Sequence, residues 1–176
     1  ACTDAHVLVI DNGSVPPLPN AARLGENLGF SGACNVGLSM VQTEATLFLN
    51  NDVWATDPDW LTKLAAALEP GVLVGPQLRN DPHTMIDGES FPYLDGWCLL
   101  GMTEDLRELG GWDETYEEPS YYGDNDLCLR ARLEGMTLRE VPCGIHHKGG
   151  ATSQANGWLL PSTIANRAIF ENRVRE

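Results

Sequence analysis

At 176 residues and 19.2 kDa the chain is long enough to bury one sizeable core and short for two, so we expect one domain over residues 1–176. Its 25 acidic against 11 basic side chains give a formal net charge of -14 and a pI near 4.5, which argues against a nucleic-acid groove or an anionic membrane surface, both of which need basic patches. No apolar run nears the roughly 20 residues that span a bilayer, the N-terminus lacks the basic-then-apolar form of a signal peptide, and the expected location is the cytoplasm.

The first predicted element is a mostly apolar strand over residues 6–10, patterned for burial on both faces, whose end carries Asp11-Asn12-Gly13-Ser14. Three prolines, at 16, 17 and 19, make the next stretch a loop. A helix follows, with Ser31 as its expected N-cap and Ala33, Val36, Gly37, Met40 and Val41 on one apolar stripe. Asn35 lies off that stripe. The short apolar strand Leu47-Phe48-Leu49 then runs straight into Asn50-Asn51-Asp52. In an open α/β sheet, ligands bind outside the carboxyl ends of strands, so Asp52 is placed to meet one. One or two carboxylates can hold a hard cation such as Mg2+ or Mn2+ when phosphate and water complete its shell. The same three residues also suit a simple turn, and both readings stand on this stretch alone.

A helix capped by Asp57 and begun by Pro58 leads to a third buried strand over residues 72–75, and strand, helix, strand, helix, strand reads as a parallel sheet. Residues 77–92 look like a polar surface excursion, residues 96–102 like another strand, and Thr103 like the cap of a short helix that Gly110-Gly111 ends. Between Trp112 and Asp126, six carboxylates stand among four aromatic rings, which would suit a sugar surface or a solvated acidic loop pinned by its rings. Asp124 fronts a helix and could be its N-cap. A half-exposed strand over 136–141 precedes His146-His147-Lys148-Gly149-Gly150, where two adjacent imidazoles raise the case for a metal above that of a lone His. The last element is an amphipathic helix capped by Ser162 and carrying Arg167, Arg173 and Arg175. Cys2, Cys34, Cys98, Cys128 and Cys143 are odd in number and contain no C-x-x-C pair, which fits small core residues better than a disulfide framework or structural zinc.

Six blocks of this chain occur in a familiar order: Val9-Ile10-Asp11-Asn12-Gly13-Ser14, Glu26-Asn27-Leu28-Gly29-Phe30, Cys34-Asn35-Val36-Gly37-Leu38, Leu47-Phe48-Leu49-Asn50-Asn51-Asp52-Val53, Gly110-Gly111-Trp112-Asp113-Glu114 and Asp124-Asn125-Asp126-Leu127-Cys128-Leu129-Arg130. Each block is weak alone. Together they resemble family 2 glycosyltransferases, hexosyltransferase-like and in particular rhamnosyltransferase-like members. The resemblance implies a GT-A fold: an α/β single domain with a mostly parallel central sheet flanked by helices. Its nucleotide-binding part would span about residues 1–76 and its acceptor-binding part about 77–176.

The resemblance also implies roles. Asp11, Asn12, Asn27, Asn35, Asn50 and Asn51 would line the donor nucleotide pocket. Asp52, the last residue of the family's Asp-x-Asp position, would reach a divalent cation, Mn2+ or Mg2+, on the donor diphosphate. His147, opening His147-Lys148-Gly149-Gly150-Ala151-Thr152, is preferred over His146 as second ligand. Because imidazole suits zinc better than Mn2+, the metal's identity stays open. Asp124 would be the general base of an inverting transfer from a nucleotide-diphosphate sugar to a glycan or lipid-linked acceptor, with Trp112, Asp113 and Tyr122 near that acceptor.

Two departures stand against the family pattern. Gly123 occupies the place of a usual Glu before Asp124, and the chain opens at what resembles the family's second strand, so the first strand and helix are expected to be missing. An open edge at residues 1–10 should then be relieved by a compacted sheet or a homodimer. A non-catalytic nucleotide-sugar or glycan-binding module is the alternative. Neither a Gly-x-x-x-x-Gly-Lys-Ser/Thr loop nor Gly-x-Gly-x-x-Gly is present to favour another phosphate-handling enzyme.

Overall fold

The computed structural model describes residues 5–86, 88–116, 121–149 and 159–175. Its centre is a four-stranded sheet in the order β3 (Ala45–Leu49), β8 (Cys98–Met102), β5 (Val72–Gly75), β9 (Thr137–Glu140). Three two-stranded ladders surround it: β1 (Ile10–Asp11) with β2 (Ala22–Arg23), β4 (Val53–Ala55) with β10 (Ile145–His147), and β6 (Leu78–Ile86) with β7 (Glu89–Leu94). Among the described residues the helices are α1 (Gly29–Met40), α2 (Trp60–Ala66), α3 (Thr103–Glu108), α4 (Gly123–Leu133) and α5 (Leu159–Arg175). Among the described residues no helix is long and apolar enough to cross a membrane.

The α/β class holds, but the central sheet is mixed rather than mostly parallel. β8 pairs antiparallel with both β3 and β5, and only β5 and β9 run together. The cause lies in the stretch read as a surface excursion. Residues 78–94 form an antiparallel hairpin, which returns the chain to the end of β5 from which it left. β8 therefore starts where β5 stops and must run back beside it. The hairpin is also packed: Phe91 and Leu94 are fully buried, and the Phe91 ring lies 5.4 Å from that of Phe170 in α5. Its register shifts between Asp81 and Met85, across Pro82, which has no N–H to offer a ladder.

Alternating side chains explain why the central strands are buried on both faces. Leu73, Leu99 and Phe48 point to one side, where Leu38 of α1, Leu106 of α3, Leu127 of α4 and Phe170 close the core. Val72, Val74, Cys98 and Leu100 point to the other, against Leu64 of α2, Cys143 and Ile145. Cys98, Cys128 and Cys143 are buried free thiols, as expected of small core residues, whereas Cys2 lies outside the described residues.

The N-terminal strand departs most from expectation. Only Ile10 and Asp11 pair, in parallel with Ala22 and Arg23, and residues 6–9 lie outside any ladder. Val7, Leu8 and Val9 are 85%, 42% and 43% exposed, so this segment is not buried on both faces. Among the described residues the sheet has not closed ranks over it either, because β3 is an edge strand and the β1–β2 ladder is separate. An apolar run becomes a buried strand only where neighbours supply hydrogen bonds and cover, and here they lie on one side only.

Helix starts also differ. α1 begins at Gly29, ahead of Ser31, and is capped by borrowed groups: Leu28 N–H donates to Asn12 Oδ1 at 2.8 Å and Gly29 N–H to Asn27 Oδ1 at 2.9 Å. Thr103 donates to Thr43 O at 2.7 Å instead of capping α3, and Ser162 lies inside α5.

Candidate functional site

β3 and β5 each run antiparallel to β8, and β9 runs with β5, so the carboxyl ends of β3, β5 and β9 open on the same end of the sheet. Asn50, Asn51 and Asp52 follow β3 there, and the chain continues into β4. Antiparallel pairing sets β10 on β4 with His147 opposite Val53 and His146 opposite Trp54, and Lys148 N–H donates to Asp52 O at 3.0 Å. Adjacent residues on a strand face opposite ways. That alternation separates the two histidines. His147 Nε2 lies 2.8 Å from Asp52 Oδ1 and 3.2 Å from the Asn50 amide. His146 instead meets the Thr56 hydroxyl at 3.1 Å and stacks on Trp54.

The His147 ring is held from one side by Trp97, stacked at 5.1 Å with 13° between planes. The indole is itself fixed, because Trp97 Nε1–H donates to Asp95 Oδ2 at 3.1 Å and Arg79 Nε–H reaches both Asp95 oxygens at 2.7 Å. Asn50 N–H donates to Trp97 O at 2.9 Å, which ties the end of β3 to the start of β8. Two lone-pair acceptors at 2.8 Å need a proton or a cation between them. Ligands occupying neighbouring corners of an octahedral cation at about 2.0–2.1 Å lie about 3 Å apart, so Asp52 and His147 fit such an ion as they stand. Among the described residues no group of three or more His, Cys, Asp or Glu that could hold a metal ion converges.

Asp124 lies across the Asp95-Gly96-Trp97 turn from that pair. It is the second residue of α4 and not its N-cap, a position Tyr122 takes in a left-handed conformation with φ 72°. Its Oδ2 accepts Gly96 N–H at 3.1 Å and its Oδ1 accepts Asn125 N–H at 3.1 Å. Burial pushes the Asp124 carboxyl up to about 6, while those N–H groups pull the other way and Asp95 adds a like charge. Gly96 is required for this approach: a Cβ there would lie 2.6 Å from Trp112 Cη2 and 3.2 Å from Asp124 Cβ.

The residues expected around a nucleotide make mostly internal contacts. Asp11 is fully buried and accepts N–H groups from Ser14 at 2.8 Å and Leu18 at 3.1 Å and Arg23 Nη1 at 2.5 Å. The Ser14 amide leads the contacts that hold its carboxyl well below the usual carboxylate range. Asn12 also donates to Gly29 O at 2.9 Å, so with Asn27 it builds the start of α1. Asn35 staples α1 to the Gly111 loop, donating to Trp112 O at 2.8 Å and Glu114 Oε1 at 2.7 Å and accepting Trp112 N–H at 2.8 Å. Gly111 has φ +69°, and a Cβ there would meet Asn35 Oδ1 at 2.5 Å. Asn51 is exposed.

The proposed acceptor side is similarly committed. Trp112 is 2% exposed with its indole edge-on to Phe30 and Phe48, so its ring serves the core and not an acceptor. Asp113 pairs with Arg173 at 2.6 Å, and Tyr122 packs on Phe170. The structure instead brings forward Trp97, Asp95 and Arg79, which sequence reading passed over. Their signal was an Asp-Gly turn with a Trp at the mouth of an apolar strand, invisible as a site until β10 delivers His147 to that ring.

The family model described as Glycosyl transferase family 2 matches residues 2–86 of this chain. The match takes in Asp11, Asn27, Asn35 and the Asn50–Asp52 strand end, and it ends before Trp97, Asp124 and His147. No curated protein matches the chain.

Proposed function

We propose that this chain is the GT-A-like domain of a metal-dependent, inverting glycosyltransferase, transferring a sugar from a nucleotide-diphosphate donor to an acceptor hydroxyl. One observation carries the reading: Asp52 and His147 converge at the carboxyl ends of the sheet, while a carboxyl raised to about 6 stands on the far side of the single turn that links them. The family match over residues 2–86 supports a glycosyl transfer reaction in particular.

In this reading Asp52 and His147 would hold a divalent cation, Mn2+ or Mg2+, with Asn50 and Trp97 keeping the imidazole in place. When bound, that ion supplies Lewis-acid stabilisation of the charge that grows on the departing diphosphate. Asp124 orients through the Gly96 and Asn125 amides and takes the proton of the acceptor hydroxyl as its oxygen attacks the anomeric carbon. The nucleoside diphosphate leaves from the opposite face, so the configuration inverts. Donor contacts fall mainly to about residues 1–76, joined by His147, and acceptor contacts to about residues 77–176. A second reading, a non-catalytic nucleotide-sugar or glycan-binding module, is favoured by the internal engagement of Asp11, Asn12, Asn27 and Asn35 and by Gly123 in place of a carboxylate.

Binding of UDP and dTDP, followed by calorimetry with and without Mn2+, tests the proposal. Chelator and Asp52→Ala should each weaken binding by at least about tenfold, the loss of one charge-assisted contact or more. Affinity unchanged under both conditions removes the metal from the reading, and binding without transfer to any acceptor leaves the module.

A further inference from the structure

A cavity of about 260 Å3 opens at the carboxyl ends of β5 and β9, lined in part by Gln77, Trp97, Glu140, Pro142 and His146. It shares Trp97 with the Asp52–His147 centre, since the same indole that lines the cavity stacks on the His147 ring. It also neighbours the candidate base, because Gly96, whose N–H donates to Asp124, directly precedes Trp97. No residue expected from the sequence to bind donor or acceptor lines it.

Size and chemistry narrow the occupant. The cavity is smaller than the roughly 300–1,000 Å3 of pockets that enclose whole drug-sized ligands, so it suits one ring and not a nucleotide. An indole and a proline give apolar surface for the C–H face of a pyranose, and Gln77 and Glu140, both exposed, offer an amide and a carboxylate to its hydroxyls. The one permanent charge in the lining is the negative Glu140, which disfavours phosphate and uronate. The donor diphosphate therefore belongs with Asp52 and His147, and this cavity is left for the other substrate.

Resting on the transferase reading above, we propose that the Gln77–Trp97–Glu140 cavity binds an uncharged pyranose ring of the acceptor, holding it against Trp97. The acceptor is thus a neutral glycan, and the residues that select it lie on the ends of β5 and β9.

The test measures methyl glycosides of rhamnose, mannose, galactose and glucose by saturation-transfer NMR and calorimetry against the whole chain. Wild type should bind at least one of them. Glu140→Gln combined with Gln77→Ala, both at exposed positions, should weaken that glycoside about tenfold while leaving Mn2+-dependent UDP or dTDP binding unchanged. Saturating nucleoside diphosphate should not displace the glycoside. No binding by any glycoside, binding indifferent to the double variant, or displacement by the nucleoside diphosphate each overturns the proposal. Loss of diphosphate binding in wild type with rim-dependent glycoside binding intact identifies a failure of the transferase reading, and with it of the acceptor role.

Discussion

The Asp124 carboxylate stands between opposing influences, with burial and Asp95 raising its pKa and the Gly96 and Asn125 amides lowering it, and the net result is about 6. Acting as a base it must be ionised, so kcat/KM should rise with pH through about 6 and level off above it. Asp124→Asn should abolish that limb and lower transfer by about 10²- to 10⁴-fold, since an amide oxygen can still accept the Gly96 N–H but takes no proton. Stability should move the other way. Between the ordinary value of 3.8 and about 6 the folded chain binds more protons at this site than the unfolded chain, so this carboxyl weakens the fold as pH rises through that window and relieves it as pH falls. Thermal unfolding at neutral pH should therefore find Asp124→Asn at least as stable as wild type. A variant that turns over normally returns Asp124 to a structural role.

Among the described elements, α5 adds a charged attachment to the packing of Phe170 in the core. Arg173 reaches back to Asp113 at 2.6 Å and to Asp126, which is fully buried and also accepts Arg130 Nε–H at 2.8 Å and the Tyr116 hydroxyl at 3.2 Å. Arg130 in turn donates to Gly111 O at 2.9 Å and to Leu109 O, so one carboxylate joins α4, α5 and the loop that Asn35 staples from α1. Removing a buried partner leaves the opposite charge uncompensated, and Asp126→Ala should cost about 3–5 kcal/mol in urea unfolding. The exposed Glu104–Arg107 pair at 3.9 Å provides the contrast, and Glu104→Ala should change stability by less than about 0.5 kcal/mol. Equal costs for the two variants would show that the network is not what fixes α5.

At the scale of the molecule, the open feature among the described residues is the run Val7, Leu8 and Val9 beside β1, together with the outer edge of β3, which pairs with no described strand. Exposed apolar extended chain next to unpaired backbone favours pairing with another copy. The net charge of -14 opposes approach, and salt screens that repulsion, so homodimer formation should strengthen as ionic strength rises. Light scattering across concentration at low and high salt checks this. A chain that stays monomeric throughout, or Val7→Asp and Val9→Asp changes that leave its mass unaltered, would count against a dimer through this edge.

Local pattern by itself determined a good deal. The strand-end Asn50-Asn51-Asp52, apolar strands expected at 47–49, 72–75 and 96–102 and found at 45–49, 72–75 and 98–102, the buried cysteines and the acidic front of α4 all follow from side-chain chemistry within a few residues. Strand direction did not, because the turn that reverses β8 is built from a hairpin whose pairing is a property of two segments at once. Nor did the neighbours of His146 and His147, which the β4–β10 register sets by turning one ring to Trp54 and the other to Asp52. Burial of Asp11 and Trp112, and the meeting of Trp97 with a histidine fifty residues away in sequence, are likewise tertiary facts. A side chain's type says what bonds it can make, and only packing decides whether the protein itself has already made them.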